Sequence, residues 1–266
     1  MSDNYVLITG CTSGIGRALT FKFAENGYNL VLVSRNYNKL ISLQNQLDKN
    51  YNIKSYVIEQ DLSIPNSALS VYQQTKNMNI CVDILCNNAG MGLYGSFDEY
   101  DVTRYNEMIQ LNISSLMELT YYFVKDMKIN NKGKILNIGS TGSFVSGPYM
   151  AVYYATKAFV LSFSEALAME LSQTNINVTC ICPGTTKTEF FDKATNCNIN
   201  LIKDIKTMSS EEVAEFAYHK LMKNKIVAIP GFKNKIAIFS NRLISRKLSR
   251  KIVYNIQYKR GKGKIK

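Results

Sequence analysis

The chain has 266 residues, 46% apolar and 20% charged, a globular balance that can bury a sizeable core in one large or two smaller domains. Its formal charge of +12 is uneven: residues 216–266 hold 15 Lys/Arg and no acid, which leaves 17 basic and 20 acidic groups, about −3, in residues 1–215. A single histidine (His219) and six cysteines without a CxxC pair exclude a zinc site, and no run of about 18 uncharged apolar residues suits a membrane span.

The first ten residues, "MSDNYVLITG", lack a basic stretch followed by an apolar one, so no secretory leader is expected. Short apolar runs then alternate with longer amphipathic ones. Strands are predicted at 5–9, 29–34, 54–59, 82–87, 133–140 and 176–184. The intervening helices are predicted at about 14–26, 37–49, 66–77, 102–129 and 151–173. A helix at about 209–223 and a last strand, "KIVAIPG" (225–231), follow. This alternation predicts an α/β fold, a doubly wound parallel sheet with helices on both faces. Ligands of such a sheet bind beyond the carboxyl ends of the strands, where strand order reverses. Residues 1–230 are expected to form one nucleotide-binding catalytic domain, and 231–266 a basic, partly amphipathic tail. Cys11, Cys81, Cys86, Cys180, Cys182 and Cys197 read as reduced thiols packing as small hydrophobes, with Cys180 and Cys182 on one face of a strand.

After the first strand, "TGCTSGIG" (9–16) supplies Gly10, Gly14 and Gly16 at a strand-to-helix turn. Such a turn lets the backbone approach a pyrophosphate, and the helix start then offers N–H groups and a positive dipole end. The spacing G-x-x-x-G-x-G differs from the common G-x-G-x-x-G. It resembles the glycine loop of the short-chain dehydrogenase/reductase family, and further motifs fit in order: "NNAG" (87–90), Asn112 in "LNISS", Ser140 at the end of the fifth strand, Tyr153 and Lys157 as Y-x-x-x-K, and "PGTTKT" (183–188). The resemblance covers roughly residues 5–230. Through "NNAGMGLYGSF" and "YYATKAFVLSFSEAL" it is nearest to broadly annotated bacterial oxidoreductases. It implies a nicotinamide dinucleotide held by Gly10, Thr12, Ser13, Gly14, Ile15, Gly16, Ser34, Arg35, Asp61, Leu62, Asn88, Ala89, Gly90, Tyr153, Lys157, Pro183, Gly184 and Thr188. Within this set, Asp61 resembles the residue at the adenine and Thr188 the one at the nicotinamide amide.

The second strand ends "LVLVSRN", with Ser34 and Arg35 and no acid where the ribose is read. A guanidinium grips a 2′-phosphate with paired hydrogen bonds, so NADPH is expected over NADH. The glycine loop lacks the second basic residue of many NADP-preferring relatives.

Hydride transfer to a carbonyl leaves an oxygen that must be protonated, and a cation beside a phenol lowers its pKa. Three tyrosines compete for this role in "GPYMAVYYATKAF" (147–159). Tyr153 stands at i−4 from Lys157 and Tyr154 at i−3, so helical spacing admits both, while Tyr149 lies eight residues away. The family pattern selects Tyr153. It also implies Ser140, 13 residues earlier, as the group holding the carbonyl, and Asn112 as support for a proton relay to Lys157. Thr141, Ser143 and Ser146 are the serine's rivals. Tyr154 is then expected to pack or to face another subunit.

Met91, Leu93, Tyr94, Phe144, Val145, Met150, Phe190 and Phe191 are candidate pocket residues, which suits an apolar or aromatic ketone. Residues 188–208 are long enough for a lid. In the tail, Ile244, Leu248, Ile252 and Ile256 recur every four residues opposite Arg242, Arg246, Lys247, Arg250 and Lys251. That pattern suits an anionic membrane surface, or a helix packed on the body with its basic side in water. No stacking aromatics accompany the charge, so nucleic acid is not expected. The resulting expectation is an NADPH-dependent carbonyl reductase or alcohol dehydrogenase. It would be cytoplasmic, at most peripheral to the inner face of a membrane, and a homodimer or homotetramer as relatives commonly are. The alternatives are a 3-oxoacyl or steroid-like ketone reductase at a membrane, and an NADP(H)-sensing protein without turnover.

Overall fold

A computed structural model describes residues 4–190, 194 and 207–260 of the chain. Seven parallel strands form one sheet: β1 (Tyr5–Thr9), β2 (Asn29–Ser34), β3 (Ser55–Glu59), β4 (Val82–Asn87), β5 (Gly133–Ile138), β6 (Ile176–Ile181) and β7 (Val227–Ala228). Their order is β3-β2-β1-β4-β5-β6-β7, so strand order reverses between β1 and β4. Helices α1 (Gly14–Glu25), α2 (Tyr37–Asn50), α3 (Ser67–Asn77), α4 (Val102–Ile109), α5 (Ser115–Ile129) and α6 (Ala151–Glu170) make the crossovers. α7 (Ser210–Met222), α8 (Phe232–Asn241) and α9 (Arg246–Arg260) follow. The doubly wound parallel sheet is the expected fold.

Strand period explains the two buried layers. On β1, Val6 and Ile8 join one cluster with Leu19 and Phe23 of α1, while Tyr5 and Leu7 join the other with Leu119 and Phe123 of α5. Both faces of the inner strands are therefore covered, which is why they read as continuous apolar runs.

Several features depart from the sequence reading, among them β5 and β6, which end at Ile138 and Ile181 rather than at 140 and 184. The helix expected over 102–129 is broken by a π turn, Gln110–Ser114, that holds Asn112. The last strand shrinks from 225–231 to two residues, because only Cys180 and Ile181 of β6 pair with it and Pro230 has no N–H to extend the ladder. Cys81 is exposed rather than packed, with its thiol beside Asn130 Nδ2 (3.2 Å). Cys11, Cys86, Cys180 and Cys182 are buried, and the last two sulfurs lie 3.8 Å apart. Cys197, Phe191 and most of the stretch expected to act as a lid lie outside the described residues.

Candidate active site

The loops after β1 and β4 are joined at the point of strand reversal. Thr9 Oγ1 accepts from the N–H groups of Asn88 and Ala89 (both 3.0 Å), and Asn88 Nδ2 donates to the carbonyls of Thr9 (2.9 Å) and Gly10 (3.2 Å). Gly10 takes φ +64° and a Cβ there would stand 2.9 Å from Ala89 Cα. At Gly16 a Cβ would meet Gly10 O at 2.2 Å and Asn88 Nδ2 at 2.3 Å. The glycines thus let loop and helix close on each other. Asn87, the first residue of "NNAG", belongs to a buried chain instead, donating to Thr120 Oγ1 and Asn137 Oδ1.

One cavity of about 1260 Å³ runs along the carboxyl ends of the strands. Of the expected cofactor residues all but Gly16 line it, as do Ser140, Tyr153 and Lys157. Gly16 and Asn112 stand behind the wall. At one end Ser34 Oγ bonds Thr12 Oγ1 (3.0 Å), and Arg35 and Lys39 are both exposed at the rim. Lys39 was not foreseen, although it follows Arg35 at i+4 in the sequence. It is a second cation at this end of the cavity. Asp61 lines the cavity with Oδ1 held by Ser63 N (2.9 Å) and Ser63 Oγ (2.7 Å). Leu62 presents its carbonyl to Ser115 Oγ (2.6 Å). Thr188 lies over Gly14, whose φ is +53°, with Cγ2 3.0 Å from where a Cβ would be. This cradle of glycines, hydroxyls and rim cations fits a dinucleotide.

Ser140 caps the 3₁₀ turn Thr141–Phe144: its Oγ accepts from Gly142 N (3.0 Å), and its N–H donates to Ser143 Oγ (3.2 Å). Ser143 Oγ also donates to the Lys157 carbonyl (2.7 Å) and is buried, so this rival acts as a strut between loop and α6. Ser146 is exposed and off the cavity, whereas Thr141 lines it.

Lys157 is buried and its Nζ donates to Ile138 O (2.7 Å). Burial depresses its pKa to about 8. Its ammonium stands 6.0 Å from the Tyr153 ring centre. Burial raises the Tyr153 phenol well above its ordinary value, against a smaller lowering from its hydrogen bond with Ser140. The lowering expected from the lysine is not seen: burial sets the direction upward, and among the described residues the one lowering influence is Ser140.

Asn112 is buried in the π turn, with Oδ1 accepting from Met91 N (2.9 Å) and Nδ2 donating to Met91 O (2.9 Å) and Thr156 Oγ1 (3.0 Å). The wider turn carries it to the loop after β4, a frequent use of π bulges. A Cβ on Gly90 would be 3.3 Å from Asn112 Oδ1 and 3.5 Å from Lys157 Nζ, so this glycine separates the two.

Tyr154 Oη accepts from Gln257 Nε2 (2.6 Å), and its ring fills the space of a Gly147 side chain, 2.3 Å from where a Cβ would be. It packs against the 142–147 loop and α9 and also lines the cavity beside Tyr153. Tyr149 takes a left-handed φ of 63°, unusual for so bulky a residue, and its hydroxyl lies 3.2 Å from that of Tyr254.

Beyond Tyr153, Met91, Val145, Met150 and Phe190 line the cavity as expected. Leu93, Tyr94 and Phe144 do not. Leu93 and Tyr94 are buried, and the Tyr94 hydroxyl is spent on Gln257 O (2.6 Å). Their place in the wall is taken by Ile244, Ile252, Val253 and Ile256 from the C-terminal region. The four-residue period of three of these was visible in the sequence, but nothing in it linked them to the cavity.

A model of the short chain dehydrogenase family matches residues 4–198. The chain is 29% identical over 233 residues to a 7beta-hydroxysteroid dehydrogenase of Mediterraneibacter gnavus, covering 87% of this chain and 88% of that one. Its structure is similar to that of a short-chain dehydrogenase from Sphingobium yanoikuyae in complex with NADPH (TM-score 0.80, 30% identity, 90% of this chain and 94% of that one). It is also similar to a bulky-bulky ketone specific alcohol dehydrogenase from Comamonas testosteroni (TM-score 0.77, 28% identity, 90% and 92%).

Proposed function

This chain belongs to the short-chain dehydrogenase family, oxidoreductases of hydroxyl and carbonyl groups that use a nicotinamide dinucleotide, and from that premise we propose that it is an NADPH-dependent reductase of bulky apolar ketones. The observation that carries this reading is one continuous cavity: a rim bearing Arg35 and Lys39, then Ser140, Tyr153 and Lys157, then an apolar wall. The NADPH complex of the Sphingobium relative and the bulky-ketone specificity in the Comamonas enzyme's name support cofactor and substrate class.

The nicotinamide, when bound in its reduced form, supplies the hydride. Arg35 and Lys39 would grip the 2′-phosphate, where a carboxylate would repel it. Gly10, Ser13, Gly14 and Ile15 would present the α1 start to the pyrophosphate. Lys157 would donate to the ribose from its buried position. Ser140 Oγ, which accepts from Gly142 N and shares a hydrogen bond with Tyr153, would turn its hydrogen to the substrate carbonyl. Negative charge growing on that oxygen is met by this donor and by the Tyr153 phenol, which delivers the proton. Asn112 would steady the loop after β4 and support a proton path to Lys157.

Exposed Ile109 on α4 and Met117 and Tyr121 on α5 support association of copies as a homodimer or homotetramer. Turnover of a panel of ketones and alcohols with both cofactors tests the reading. Oxidation of NADPH by bulky apolar ketones, well above the rate with NADH, is expected. No turnover with any ketone, despite NADPH binding, would favour the NADP(H)-sensing alternative.

A further inference from the structure

The last two helices present a surface that the cavity chemistry leaves unused. On α8, Phe232 (77% exposed), Ile236 (49%) and Phe239 (62%) share one side at i, i+4 and i+7, and Leu243 (76%) follows in the next turn. On α9, Leu248 (47%), Ile252 (43%) and Ile256 (46%) form a second row. α9 does not dock through this row. It docks through Ser249, Val253 and Gln257, which leaves the apolar stripe half outside. Seven large apolar side chains exposed within residues 232–256 are more than a scattered surface minority.

Lys233, Lys235, Arg242, Arg246, Lys247, Arg250, Lys251 and Lys259 surround them, all exposed, with no acid in the sequence after Glu215. Among the described residues none of the eight forms an ion pair. A second copy is a poor occupant, because an isologous contact would press these cations against their own images. Nucleic acid would leave the apolar rows unused. An anionic bilayer matches both, with headgroups for the cations and acyl chains for Phe232, Phe239 and Leu243.

We propose that α8 and α9 dock this protein on an anionic lipid surface, and that the docked face opens into the substrate end of the cavity. Ile252 and Ile256 connect the two: each is half exposed on the docking side and also lines the cavity. An apolar ketone dissolved in the bilayer would pass along them without crossing water. The access route rests on the ketone-reductase reading, whereas docking does not.

The test is co-sedimentation of the full chain with phosphatidylcholine vesicles, with and without phosphatidylserine. Binding is expected only with phosphatidylserine and should weaken with salt. Substituting Arg242→Gln, Arg246→Gln, Lys247→Gln, Arg250→Gln and Lys251→Gln together should reduce affinity at least about 100-fold. Phe232→Ser, Phe239→Ser and Leu243→Ser together should reduce it roughly tenfold or more even at low salt. None of these residues lines the cavity, so turnover of a water-soluble ketone should persist and report folding. A ketone carried in the vesicles should be reduced faster by the native chain than by either variant. Equal binding to both vesicle types, or binding unchanged in the variants, would overturn docking. Absence of vesicle binding together with loss of a self-associated species in the serine variant would assign the face to a second copy instead. Docking without faster reduction of the vesicle-borne ketone would overturn the access route alone.

Discussion

The two ends of the cavity are built on opposite principles. The glycine-loop end is made by closure: two loops at the strand reversal share hydrogen bonds, and the backbone is so near itself that a single methyl group has no room at Gly16. The C-terminal end is made by addition: α8 and α9 are laid over the cavity, keep large apolar side chains in solvent and carry no acid. The first end fixes where a dinucleotide would sit. The second leaves shape and partner open to change, as expected of surface elements placed on a rigid scaffold.

The contrast should break most visibly at Gly16. Gly16→Ala puts a Cβ 2.2 Å from Gly10 O, and overpacking of this kind costs on the order of 3 kcal/mol. Thermal unfolding should shift down by several degrees and NADPH binding should weaken sharply. Unchanged melting and affinity would show that the loop yields. At the rim of the same end, Arg35→Asp should move the NADPH to NADH preference in kcat/KM by on the order of 100-fold, from loss of a charged hydrogen bond and addition of a repulsive charge. An unchanged ratio would remove Arg35 from the reading of the ribose.

The pH profile comes next in size. Burial holds Lys157 at about 8, so its ammonium is present below that value and is lost as pH rises through it. The kcat/KM for NADPH reports the free enzyme, and it should fall above pH about 8, up to tenfold per unit. A flat profile to pH 10 would exclude a charged Lys157 from the rate. The smallest effect belongs to the other end: Phe239→Ser, on an exposed position, should change stability by no more than about 0.5 kcal/mol. A large loss of stability there would mean that the side chain is buried in the working assembly.

The sequence revealed the first end far better than the second, and the residues show why. Strand and helix periods locate the loops after strands, and the family resemblance singled out Gly10, Asn88, Ser140, Tyr153 and Lys157 within and beyond them; the structure brings all five to one cavity. Spacing alone left Tyr154 open beside Tyr153. The structure places Tyr154 against Gly147 and Gln257, a contact 103 residues away along the chain that no local pattern carries. Leu93 and Tyr94 were mistaken for pocket residues because apolar character does not tell wall from core. The π turn at Asn112 was hidden because its sequence is acceptable in a continuous helix, and the turn is set by the bonds to Met91 and Thr156. The acid-free composition marked the C-terminal region, but which side of α9 faces the body was decided by Ser249 and Gln257, against the apolar period.

The most direct test follows NADPH absorbance with a bulky apolar ketone, in the native chain and in Tyr153→Phe, beside NADPH titrations of both. Expected is steady oxidation by the native chain and turnover at least about 100-fold slower in the variant, with NADPH affinity the same within a few-fold. Native-rate turnover by Tyr153→Phe would contradict the assignment of the proton donor at the centre of the cavity.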